Sequence, residues 1–355
     1  MRPFNKNFSS DNAGGISPAI LAALLAANEG STASYGADPW TAQLREIVRE
    51  LFDAPGAEVF AVTTGTAANA LALSALVPPY GAVYCDAAAH IANDECGAPE
   101  FFSGGARLLK LPSRDGRLAP EALAAHIKTS RAISVHKSLP CAISISQATE
   151  WGTVYSAEQV QLLGAQARAL GLALHMDGAR FANALAALGG TPAALTWQAG
   201  VDVLSLGATK NGAMAAEAVI FFRPELAREF ARRRKRAGHL WSKSRFLSAQ
   251  LVAYLSDDLW LTNARQANSM AALLAEGLRH VSGIRLLQAV QANAVFALLP
   301  EGLTARLAAA GFLFQPWYPP EQTTAVPGTV PVRFVTGCAT APEDVAALLR
   351  AAAGD

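Results

Sequence analysis

Neither sign of charge dominates this 355-residue chain: 29 lysines and arginines stand against 28 aspartates and glutamates, for a net charge of +1. That balance supplies no long-range field for nucleic acid or an anionic membrane, and argues against both as partners. Cysteine is scarce. Cys85, Cys96, Cys141 and Cys338 are the whole complement, none in a CxxC pair. The pattern excludes a zinc ribbon or a disulfide framework and predicts reduced thiols in a cytoplasmic protein. Long apolar runs are missing too: no stretch approaches the roughly 18 residues of a membrane span. The opening residues Met1–Asn7 lack the apolar core of a signal peptide. Internal repeats and low-complexity linkers are absent. What is present is 52% hydrophobic residues against 16% charged, enough to bury a large core, over a length that favours two domains.

Helix and strand signals alternate, which predicts an α/β fold. A large domain with a mostly parallel sheet flanked by helices is expected over residues 1–248, and a smaller C-terminal α/β domain over 249–355. Candidate strands are 59–62, 81–85, 106–111, 142–146, 172–176, 202–206 and 216–222, then 284–290, 293–298 and 331–335. Ser17-Pro18 opens a short helix closed by Gly30, and Asp38-Pro39 opens another. In the latter, Trp40, Leu44, Ile47, Val48, Leu51 and Phe52 form one apolar face. Ser156 to Gln159 fits a capping box. A continuous helical stretch is expected from Phe246 to His280, and Thr340 is expected to cap the last helix. The basic run Arg232-Arg233-Arg234-Lys235-Arg236 reads as the charged end of a helix starting at Pro224.

Three predicted strand ends carry unusual side chains. The apolar run Val201–Leu206 leads into Gly207-Ala208-Thr209-Lys210, a small-residue loop holding one amine. Leu172–Met176 leads into Asp177-Gly178-Ala179-Arg180. The interval between them suits one crossover helix, so the strands can be parallel with their ends on one rim, where open α/β sheets bind ligands. Strand 59–62 leads into Thr63-Thr64-Gly65-Thr66-Ala67, opening a helix. Gly65, Thr66 and Ala67 can form a phosphate cup there, since first-turn N–H groups lack partners within the helix. Each motif alone has a plain reading: a capped turn, an Asp177–Arg180 ion pair, a solvated lysine. Their co-occurrence points to a cofactor needing an amine, an acid and an anion site together, and pyridoxal 5′-phosphate is the candidate. His90, past strand 81–85, can stack on a ring or act as a base, or be a loop histidine. His175 lies inside an apolar strand and reads as a core histidine. Arg333 is either a carboxylate clamp or a solvent-facing arginine.

These residues carry a resemblance over nearly the whole chain. Ser10-Asp11-Asn12, Tyr35-Gly36-Ala37-Asp38-Pro39, Thr64 to Asn69, His90 with Glu95, Gln147 to Tyr155, His175 to Arg180, Thr209-Lys210 and Arg333 to Thr336 are similar to motifs of the low-specificity threonine aldolases and the related phenylserine aldolases. These are pyridoxal-phosphate enzymes of the aspartate-aminotransferase (type I) fold class. The resemblance implies retro-aldol cleavage of L-β-hydroxy-α-amino acids (threonine, allo-threonine, phenylserine) to glycine and an aldehyde. It implies that Lys210 holds the cofactor covalently, His90 stacks on the ring, Asp177 holds the ring nitrogen, and Gly65, Thr66 and Ala67 bind the phosphate. Ser10, Arg180 and Arg333 would hold the substrate carboxylate, with Arg180 also near the ring hydroxyl. It implies a homotetramer built from dimers, with Tyr35 and Lys243 reaching a neighbour's site. Many members carry a histidine where Glu150 stands, which leaves His90, Glu150 or water as the base. A β-eliminating lyase, a racemase, or a catalytically silent cofactor-binding protein are the alternatives. Trp317, Tyr318 and Phe101 are candidates for the side-chain pocket.

Overall fold

The computed structural model describes residues 5–113, 115–131, 135–317 and 326–354. Seven strands form the main sheet: β1 (Glu58–Val62), β2 (Gly81–Asp86), β3 (Arg107–Leu111), β4 (Leu139–Ser146), β5 (Ala173–Gly178), β6 (Val203–Gly207) and β7 (Glu217–Phe221). Their order is β1-β7-β6-β5-β4-β2-β3. The β2–β3, β2–β4, β4–β5 and β5–β6 pairs are parallel, while β7 runs antiparallel to both neighbours. Strands β6 and β7 are buried along their whole length. A strand covered on both faces reads as an unbroken apolar run, which is why the sequence marks these strands so clearly.

The helix Gly65–Leu76 is buried without interruption from Ala67 to Ser74. Its alanines let it lie close to the sheet, with its N-terminus at the rim where β5 and β6 end. Pro39–Leu51 is instead one-sided, burying Thr41, Leu44 and Val48, and Asp38 caps it by accepting the Thr41 N–H at 2.8 Å. The capping box at Ser156 is formed in both directions.

A second sheet comprises β8 (Arg285–Leu286), β9 (Ala294–Pro300), β10 (Gln315–Pro316) and β11 (Thr329–Val335), in the antiparallel order β10-β11-β9-β8. Its core joins Leu274 and Leu278 to Val295, Leu299, Val332, Phe334, Val345 and Leu348. Phe8 also belongs to this core. Its N–H bonds Leu313 and its carbonyl accepts from Val335, at 2.7 and 2.8 Å. The start of the chain is thereby pinned to the second sheet, and the residues that follow are delivered to the rim of the first.

Several local expectations need correction. The stretch from Phe246 to His280 is two helices, Arg245–Leu255 and Leu259–Arg279. Asp257 and Asp258 between them have φ of 51° and 57°, a left-handed conformation that aspartate tolerates better than most residues. Only one 3₁₀ turn starts at Pro224; the basic run belongs to a separate helix, Phe230–Arg236. Thr340 accepts the Gly337 N–H, and the last helix is opened by Asp344, which accepts from Ala341. The first helix ends at Ala27, before Gly30. The expected strand 284–290 is reduced to β8, and β10 carried no signal in the sequence.

Candidate active site

The rim formed by β4, β5 and β6 opens on a cavity of about 480 Å³. Thr64, Gly65, Thr66, Asn69, His90, Glu95, Glu150, Asp177, Arg180, Lys210 and Glu217 all line it. Most of these side chains were legible in the sequence; their convergence is a property of the sheet. Gly207 makes the approach tight. A Cβ there would stand 2.6 Å from the Ala179 carbonyl oxygen, so glycine at the end of β6 lets the loop carrying Lys210 lie against the loop carrying Asp177 and Arg180.

Lys210 sits in a 3₁₀ turn, Thr209–Asn211. The turn is anchored from behind: Asn211 donates to the Tyr254 hydroxyl at 3.0 Å and to the Trp260 carbonyl at 2.8 Å. Burial, then the charge of Arg180, holds the lysine amine below its ordinary pKa. An amine so placed is more readily a nucleophile than a solvated lysine.

At the helix N-terminus, Thr64 accepts the Ala67 N–H at 3.2 Å. Ala67 is therefore already capped, its side chain is buried, and it does not line the cavity. Gly65 and Thr66 do. Nothing lies within 4 Å of where a Gly65 Cβ would be, and the first-turn N–H groups of a helix have no partner within it.

Asp177 ends β5 with both carboxylate oxygens held. Oδ1 accepts from the Ala179 N–H at 3.0 Å and Oδ2 from Asn69 Nδ2 at 2.9 Å. The same Asn69 nitrogen donates to Glu95 Oε1 at 2.8 Å, and that oxygen meets His90 Nδ1 at 2.9 Å. A single line of hydrogen bonds thus joins His90, Glu95, Asn69 and Asp177. The hydrogen bond to Glu95 raises the imidazole pKa, and burial raises that of Glu95. Asn69 was quoted in a motif but given no role; only the fold shows that its amide bridges two acids.

Arg180 is not free. Its Nε and Nη2 donate to Asp11 Oδ2 and Oδ1 at 2.7 and 2.9 Å. Burial opposes ionisation of Asp11, but the charge and hydrogen bonds of Arg180 outweigh it and lower its pKa. Ser10 does not reach the cavity. It caps the turn Asp11–Ala13 and lines a separate void of about 30 Å³; Asn12 is the residue of that motif on the main cavity. Arg333, on β11, lines an adjoining cleft with Glu150, Arg180 and Phe296. Its guanidinium lies over the Trp317 ring at 4.8 Å, and among the described residues its buried Nε has no hydrogen-bond partner. An unsatisfied buried donor of this kind is costly and suits an anionic ligand.

Glu150 follows β4 and takes two hydrogen bonds on Oε1, from Ser146 Oγ at 2.6 Å and from the His90 N–H at 2.8 Å. Its Oε2 is buried without a partner among the described residues, and burial pushes the carboxyl up to about 7. Glu217 is a third acid on the cavity raised by burial, after Glu95 and Glu150, and had no sequence signal beyond its place at the start of a strand.

Other candidates lie elsewhere. Tyr35, at φ 57°, is half-exposed under the Lys235 ammonium at 4.8 Å and does not line this chain's cavity. Lys243 is exposed. His175 is a core histidine, bonded to Ser144 and Ser205 at 2.9 and 3.0 Å, its pKa lowered to about 4 by burial. Phe101 is 78% exposed, and Tyr318 is outside the described residues.

A mostly parallel sheet with helices on its faces and a lysine at its rim is the architecture of the type I pyridoxal-phosphate enzymes. The chain belongs to the beta-eliminating lyase family, whose model matches residues 7–301, and within it groups with the low-specificity L-threonine aldolases. It is 46% identical to the low specificity L-threonine aldolase of Pseudomonas aeruginosa over 314 residues, 88% of this chain and 90% of the relative. It is 47% identical to that of another Pseudomonas strain over 283 residues, 80% of this chain and 81% of the relative. The threonine aldolase of Leishmania major superposes with a TM-score of 0.90, covering 98% of each chain at 29% identity.

Proposed function

We propose that this protein cleaves L-β-hydroxy-α-amino acids, threonine, allo-threonine and phenylserine among them, to glycine and an aldehyde. The observation that carries the reading is the meeting of Lys210, Asp177 and the open N-terminus at Gly65 and Thr66 on one cavity. These residues fit pyridoxal phosphate: an unpaired amine for its aldehyde, a held carboxylate for its ring nitrogen, uncapped N–H groups for its phosphate. When bound, the cofactor supplies a sink for the electrons of the broken Cα–Cβ bond. His90 would stack on the ring. Arg333, with its unpartnered Nε, would bind the substrate carboxylate, and Arg180 would assist while tethered to Asp11. Fixing the carboxylate orients the scissile bond, which raises kcat where tighter binding alone would only lower KM.

The β-hydroxyl proton needs an acceptor as the bond breaks. His90 is poorly suited, because its bond to Glu95 favours the protonated ring. Glu150 stands on the same cavity with a free oxygen and titrates near 7. It would take the proton in its ionised form, so kcat/KM should climb as pH rises through about 7. Glu150→Gln should erase that limb and slow cleavage by about 10²-fold or more. A pH–rate profile unchanged in the variant would remove Glu150 from this role.

Incubation with L-threonine and with L-phenylserine tests the reading as a whole. Glycine plus acetaldehyde or benzaldehyde is expected. Ammonia and a keto acid would mean β-elimination, the chemistry for which the family is named; D-amino acid would mean racemisation. Bound cofactor without any product would mean a silent binding protein. A homotetramer of paired dimers, with Tyr35 and Lys243 facing a neighbour's site, is part of the same reading. It is supported by the exposure of Tyr35, Leu21 and Leu25. Four unpaired cysteines fit a cytoplasmic location.

A further inference from the structure

Glu217 is a buried acid on the cavity for which the aldol chemistry has no task. It opens β7, opposite Val62 on one side and Gly207 on the other. Those partners are the last residues of β1 and β6. The helix N-terminus at Gly65 follows the first, and Lys210 follows the second. The carboxyl therefore stands between the anion cup and the amine. With Thr64, Gly65 and Lys210 it lines the main cavity, and with Gly65 and Ala68 a second void of about 10 Å³. Its Oε2 accepts the Ala208 N–H at 2.8 Å, and the Thr209 hydroxyl also bonds the carboxyl. Among the described residues no cation forms an ion pair with it.

The charged or titratable groups facing Glu217 are few. Lys210 comes from the loop after β6, Asp177 from the end of β5, and Tyr254 from the helix Arg245–Leu255. At the end of β1, His239 meets the Thr63 hydroxyl at 2.8 Å and Arg234 donates to the Ala61 carbonyl at 3.1 Å, while the first turn of Gly65–Leu76 adds backbone N–H dipoles. A helix N-terminus counts for about half a positive charge, too little to neutralise both a phosphate and a carboxylate. The Lys210 amine ceases to be a free counter-ion once it is joined to the cofactor's aldehyde.

We propose that Glu217 is a proton-coupled member of the cofactor's phosphate site: its carboxylate takes a proton from solvent as the phosphate enters, and the neutral acid then lies beside that anion. Burial already holds Glu217 at about 7, and a second anion nearby shifts the balance further toward the protonated form. A group that must gain a proton for binding makes affinity fall by up to about tenfold per pH unit above its free pKa. The inference rests on the reading of the cavity as the pyridoxal-phosphate site.

The test titrates the cofactor-free protein with pyridoxal 5′-phosphate across pH 7 to 9, following visible absorbance, for the wild type and for Glu217→Gln, which imitates the neutral acid. The ratio of wild-type to variant Kd should rise toward tenfold per pH unit above about 7. Pyridoxal, which joins Lys210 but has no phosphate, should show a shallower rise; it isolates the share owed to the change at Lys210. A flat ratio with the phosphorylated cofactor, or an equal rise with pyridoxal, overturns the proposal. Wild-type protein that binds no cofactor at any pH overturns the cofactor reading and this inference with it. Infrared difference spectra of the wild type provide a check that does not depend on the variant folding. Cofactor binding near pH 8 should add a protonated-carboxyl band, and its absence would equally refute the idea.

Discussion

Lys210→Ala is expected to lower cleavage of L-threonine by several powers of ten and to abolish the visible absorbance of covalently held cofactor. The size follows from what the amine does. In the proposed reaction it is the nucleophile that would be joined to the cofactor, and deleting a nucleophile removes a covalent route rather than one hydrogen bond. The fold should survive, because the turn is held by Asn211 through Tyr254 and Trp260, and the lysine side chain makes no hydrogen bond among the described residues. Circular dichroism would separate loss of chemistry from loss of structure. The measurement is glycine and aldehyde formed per enzyme under saturating cofactor. Turnover within tenfold of wild type in the variant would dismiss Lys210 as the cofactor's anchor.

Asp177→Asn has the second-largest expected effect, a fall in kcat on the order of 10³–10⁴-fold, the scale reached when a buried carboxylate that sets a ring's protonation is neutralised. In the proposed role Asp177 would keep the cofactor's ring nitrogen protonated, which an amide cannot do, so the electron sink would be lost while Lys210 and the anion cup remain. KM and cofactor affinity should therefore change far less than kcat. The side chain is nearly isosteric, although one of the two hydrogen bonds from Asn69 and Ala179 must be given up. A purely structural acid would behave differently: cofactor retention and thermal stability would fall with kcat. An unaltered kcat would show that the acid has no electronic part in the reaction.

Much of the fold could be read directly from the chain because its signals are local. The runs ending at Asp177 and Lys210 are mostly apolar, as a strand covered on both faces is, and the observed β5 and β6 pair in parallel as their spacing allows. Capping signals at Asp38 and Ser156 act within three residues and were equally readable. The helical pattern from Phe246 onward was read too long, because periodicity continues across a break set by two aspartates in left-handed backbone. The pairing of Arg180 with Asp11 spans 169 positions, and no pattern within either motif announces it. Nor does the motif announce that Ser10 caps the turn Asp11–Ala13 while Asn12 lines the main cavity.

The amino-acid order alone marked the strands ending at Val62, Gly178 and Gly207, and therefore placed an amine, an acid and a small-residue helix start at strand ends. Hydrophobic period and turn chemistry operate over a few residues and need no partner. Only the tertiary structure decided which charges are already satisfied and which stand open. Arg180 is consumed by Asp11, Arg333 keeps an unpaired donor, and Asn69 ties Asp177 to Glu95. Glu150 and Glu217 become acids titrating near neutrality through burial. Ion pairing and desolvation depend on distances of a few ångströms between residues far apart in the chain, and folding alone sets those distances.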